Sequence, residues 1–80
     1  MELNLARHII RTAFRAEREL EELLILLKVQ LDSEEYRRYA LGIATTIDAM
    51  NVALINPTLI SHPELTNEIE ASLAQYGRFI

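Results

Sequence analysis

Between Leu3 and Leu31 the apolar positions fall at Leu3, Ala6, Ile10, Ala13, Leu20, Leu24, Leu27 and Leu31, in steps of three and four broken once, at Glu17. That period belongs to a helix with one buried face, and Ile9, Ala16 and Leu23 widen the stripe on one side. The pattern predicts an amphipathic helix of about 28 residues over 3–31, roughly 42 Å long. Asn4 is a candidate cap, with fraying through Met1 to Leu5 as the alternative. One part of this helix, Leu20 to Leu31, differs from the rest. Leu23, Leu24, Ile25, Leu26 and Leu27 leave no polar face, so the segment calls for cover on several sides, from its own chain and from a second copy.

The stop is written at Asp32, a good N-cap, with Glu35 placed to complete a capping box and Leu31 and Tyr36 placed to form a hydrophobic staple. So short a link folds a second helix back antiparallel on the first. That helix, over 33–55, carries a seam at Tyr36, Ala40, Ile43, Ile47, Met50 and Leu54. A quarter turn or more away, Gly42, Thr46, Ala49 and Ala53 make a row of small residues where another backbone can come close. A helical glycine costs about 1 kcal/mol relative to alanine, so Gly42 is explained by close packing unless it is simply a tolerated surface glycine. Asn56-Pro57 is expected to end the helix, because proline pushes the residue before it out of helical geometry. Thr58 to Ile60 then connect to a third helix over 62–76, with Ser61 and Glu64 as a second capping box, Ile60 and Leu65 as its staple, and Pro63 in the first turn. Leu65, Ile69, Leu73 and Tyr76 form its apolar face, and Gly77 is its C-terminal cap.

The expectation is a single all-α domain over 1–80, a long antiparallel hairpin with a shorter third helix packed back on the second. Because the third helix covers only about two thirds of the second, the hairpin keeps a bare apolar flank. Composition sharpens this. Eighty residues sit near the size where one core needs outside help, and with no cysteine that help cannot be a disulfide or a thiolate zinc site. Half the chain is apolar, an excess most simply buried between subunits of a dimeric helical bundle.

A net charge of −4 argues against nucleic acid and anionic membrane as main partners. The first residues lack a basic head followed by an apolar run, so a cytoplasmic address is expected. Tyr39 to Ile55 is the most apolar later window, but Asp48, Asn51 and two threonines within it favour a core reading over a membrane span.

Chemistry-bearing patterns are sparse. His8 and His62 have no acid at metal-ligand spacing on one helical face, and neither metal nor cofactor is expected. Glu17 and Asp48 are candidate inward carboxylates, though Glu17 can reach solvent or an arginine and Asp48 is turned about 100° off the Ile47 seam. The serines lack nucleophile-elbow glycines, and there is no phosphate loop. The distinctive constellation is Arg7, Arg11, Arg15 and Arg18, which stack on one face of the first helix. They make a solvated face, a protein-facing patch or a phosphate track; Glu17, Glu19, Glu21 and Glu22 follow at once, and no lysine or aromatic is interleaved.

The expected function is non-catalytic protein–protein binding, as a regulator, adaptor or antagonist. The alternative is nucleic-acid association through the arginines, and a third reading is a small-molecule pocket among Ile43, Ile47 and Met50. The candidate partner-binding residues are Arg7, Arg11, Arg15, Arg18, Leu23, Leu24, Leu26, Leu27, Gly42 and Ala49. A homodimer is expected through Leu20 to Leu31 and the bare flank of the second helix. Its first helices would run antiparallel, so that each Arg7–Arg18 segment meets the other's Glu17–Glu22.

Overall fold

A computed structural model describes all 80 residues. Three helices and no strands make up the chain: α1 (Leu3–Gln30), α2 (Ser33–Ser61) and α3 (Glu64–Tyr76). Glu2, not Asn4, caps α1, its carboxylate accepting the Asn4 amide at 3.2 Å. Leu31 and Asp32 alone link α1 to α2, and the Asp32 carboxylate accepts the Glu35 amide at 2.8 Å. The hairpin follows from that cap, although the return bond from the Glu35 side chain is not made.

The expected stop at Asn56-Pro57 does not occur. α2 widens into one π-helical turn over Asn51–Ile55, with the Asn56 amide donating to the Asn51 carbonyl, and continues to Ser61. In α geometry the Pro57 ring would strike the carbonyl four residues back. The wide turn relieves that clash, and Pro57 then stands in the first turn of the segment that follows, where no amide is required. By length and composition the resulting 29-residue helix could cross a membrane.

The second capping box fails for the same reason, since Ser61 is still helical. α3 starts from Pro63 without a side-chain cap; the Leu65 and Thr66 amides bond the carbonyls of His62 and Pro63. Ile60 is 80% exposed and staples nothing. Gly77 does end α3, at φ 73°, with its amide on the Leu73 carbonyl at 2.9 Å.

α3 does not lie back along α2 as expected. Leu65 and Ile69 enter one buried cluster with Ala6, Ile10 and Ala13 of α1 and Ile55 of α2, closed from below by Phe79. All of this core lies at the open end of the hairpin. Only ten residues are buried, and the window read as core, Tyr39 to Ile55, contributes only Ile43 and Ile55 to them. The molecule measures 45 × 26 × 15 Å with a radius of gyration of 14.8 Å, against about 12 Å for a compact chain of this length.

Candidate interaction surfaces

The hairpin has two flanks, and α3 with the C-terminal residues occupies one of them. On the other, Ile9, Thr12, Ala13 and Ala16 of α1 face Met50 and Leu54 of α2 across an open groove of about 460 Å³, with His8 at its rim. The helical period extends both walls. Leu5, Ile9, Thr12, Ala16, Leu20 and Leu23 recur in steps of three and four on α1, as do Tyr39, Gly42, Thr46, Met50 and Leu54 on α2. No charged residue stands in either stretch; Glu35 continues the α2 row one turn beyond Tyr39 at the tip, and Glu19 and Arg38 lie at the edges. This is the bare apolar flank expected from the sequence, and it runs most of the length of the hairpin.

The expected site residues divide among different surroundings. Leu23 lies on this flank, 40% exposed. Leu24 and Leu27 are half-buried in the α1–α2 seam, and Leu26 is exposed on the outer side of α1. The segment Leu20–Leu31 is therefore covered on one side only, since Ile25 and Val29 are also bare. Gly42, Thr46, Ala49 and Ala53 are all exposed, and nothing lies within 4 Å of a Cβ placed on Gly42. The close crossing expected for this row is not made within one chain.

The pocket imagined among Ile43, Ile47 and Met50 does not form. Met50 lines the flank groove, whereas Ile47 lines a separate cavity with Phe14, Glu17, Arg18, Glu21 and Asn51. Glu17 is buried there, and burial pushes its carboxyl above the ordinary range, with the charge of Glu21 acting in the same direction. Asp48 is exposed.

The arginine row is partly consumed by the fold. Arg7 pairs with Glu68 of α3 at 2.9 Å. The Arg11 guanidinium lies 5.2 Å from the Phe79 ring centroid and donates to the Ile80 carbonyl at 3.1 Å, while its Nε–H is buried without a partner. That orphan donor costs about 1–3 kcal/mol, offset in part by the cation–π contact. Arg15 and Arg18 have no carboxylate within 4.0 Å; with Arg11, Arg78, Phe14 and Phe79 they line a cleft of about 280 Å³. The row is turned more than a quarter turn from the flank, so it does not face a partner seated there.

Phe79 was missed from the sequence. It follows the left-handed Gly77, which turns the chain back, and Ser72 holds the return: its hydroxyl donates to the Arg78 carbonyl at 2.7 Å and accepts the Ile80 amide at 3.1 Å. Phe79 meets Phe14 edge to face at 6.4 Å. An aromatic two residues beyond a helix-ending glycine was the available signal. His62 is half-buried, its ring bridging the Met1 carbonyl at 2.8 Å and the Glu64 carboxylate at 3.1 Å.

Neither protein-family models, nor curated proteins, nor solved structures match this chain.

Proposed function

We propose that the chain works by binding protein through the uncharged flank of its hairpin, as a small regulator, adaptor or antagonist, and that it catalyses nothing. The observation that carries this reading is the flank itself, an apolar two-helix groove with charge only at its edges. Depletion of charge from the centre, with polar groups at the rim, is what marks protein interfaces.

Nucleic acid is the second reading, and the free guanidinium groups of Arg15, Arg18 and Arg78 favour it. With Arg7 and Arg11 engaged inside the fold, about three phosphate contacts remain, which on duplex DNA gives a log–log salt slope no steeper than about −3.

A photo-crosslinking amino acid placed in the native host at Thr46 on the flank, at Leu41 on the far side of α2, and at Arg15 separates the readings. Protein adducts at position 46 and none at 41 are expected. Nucleic-acid adducts at 15 without protein adducts at 46 would reverse the order, and lipid adducts at both 46 and 41 would point to a membrane-embedded α2.

A further inference from the structure

Resting on the protein-binding reading, we infer that the occupant of the flank is a second copy of this chain, so that two hairpins close face to face into a four-helix bundle. The first support is area. The chain exposes 5747 Å², whereas a folded monomer of 9.2 kDa exposes about 4,900 Å². The excess, roughly 800 Å², is what each partner contributes to an interface of standard size.

The second support is symmetry. A two-fold interface sets residues near its axis against their own copies, so a charge there faces its like. Along the flank, from Leu5 to Leu23 on α1 and from Tyr39 to Leu54 on α2, no position of either row carries one. Each row alternates in relief: on α1 Thr12 and Ala16 lie between Ile9 and Leu20, and on α2 Gly42 and Thr46 lie between Tyr39 and Met50. The glycine fits this arrangement. A Cβ at Gly42 meets nothing in the single chain, so its small size serves no intrachain packing and leaves room there for the backbone of a second hairpin.

The third support is the core. Ten buried residues in eighty, all toward one end except Glu17 and Ile43, leave the other half of the hairpin held by a half-buried seam. Covering the flank buries that seam and extends the core along the hairpin.

Sedimentation equilibrium of the full chain at about 50 µM, a concentration at which a stable dimer persists, tests the inference with three variants. Gly42→Lys and Thr46→Lys place a charge on the flank at positions open in the single chain; Leu41→Lys places one on the far side, at a residue 68% exposed. The expected result is twice the chain mass for wild type and Leu41→Lys, and the single-chain mass for the two flank variants, with helical circular dichroism retained in all four. A wild-type mass of one chain overturns the inference, as does a dimer that survives both flank charges. Crosslinks from position 46 then separate the two claims. Capture of a different protein by a monomeric chain removes self-association alone, and no protein adduct removes the protein-binding reading as well.

Discussion

The Nε–H of Arg7 points between the two carboxylate oxygens of Glu68, at 2.9 and 3.0 Å, while Nη1 of the same guanidinium donates to Asn4 Oδ1 at 2.6 Å. This fork is the polar tie between α1 and α3, and it removes the first member of the arginine row from any outside partner. Both side chains keep solvent contact, 27% and 40%, so the pair contributes under about 1 kcal/mol. Glu68→Gln is expected to lower urea stability by no more than that. Much of the difference should vanish at about 1 M salt, where screening is nearly complete.

Core and tip are expected to respond differently to truncation. Leu65 is fully buried, so Leu65→Ala should cost roughly 2–5 kcal/mol through lost burial and the cavity left behind. Ile25 is 70% exposed, and Ile25→Ala should stay within about 0.5 kcal/mol. Thermal or urea denaturation of both variants checks the contrast. Equal costs would mean that the outer face of the tip is covered.

Glu17 gives the chain a pH dependence of definite sign. Burial, with the help of Glu21, raises its folded-state carboxyl above the ordinary value. Between the ordinary and the raised value the folded state holds more protons than the unfolded, so this group's stabilisation is full at lower pH and lost as pH rises through the window. Glu17→Gln is expected to raise Tm at pH 7 and flatten that part of the profile. Glu64 acts in reverse: bonds from backbone and from His62 lower its carboxyl, and its contribution disappears as pH falls through that lowered value. Denaturation at a series of pH values separates the two.

The π-turn yields a test of why α2 continues past Pro57. Deleting the exposed Ala53 restores α spacing and returns a carbonyl to the proline ring, at a cost of about 3 kcal/mol. Adding Pro57→Ala to the deletion should recover most of the loss. A deletion without cost would mean that the wide turn does not serve the proline.

The hairpin was legible because its causes are local: the three-and-four apolar period of α1, and one aspartate whose carboxylate receives the Glu35 amide. Gly77 was legible for the same reason. The continuation of α2 was not, since an Asn-Pro stop is the ordinary local outcome and the wide turn that defeats it is favoured by tertiary packing, which buries Ile55 and Thr58 on either side of the proline. The position of α3 was likewise hidden, because an apolar face does not name the helix it will meet. Of the site, a bare apolar flank on the hairpin could be read in advance, and so could the widening of the α1 stripe by Ile9, Ala16 and Leu23, but not that these residues form the α1 wall of that flank. The partition of Leu23 to the flank, Leu24 and Leu27 to the seam and Leu26 to the outside could not, since an unbroken apolar run carries no period. Because Leu24 sits in the intrachain seam, Leu24→Asp puts a charge there and should unfold the hairpin itself, not merely separate two chains.

Isotope-filtered NMR on an equal mixture of labelled and unlabelled chains tests the central claim most directly, because it detects only contacts between molecules. Cross-peaks between chains are expected from the methyl groups of Ile9, Leu23, Met50 and Leu54, and none from Ile25, Val29 or Leu41. Cross-peaks confined to Ile25, Val29 and Leu41, or none from any methyl at concentrations where the chain is fully folded, would contradict a flank built for a second copy.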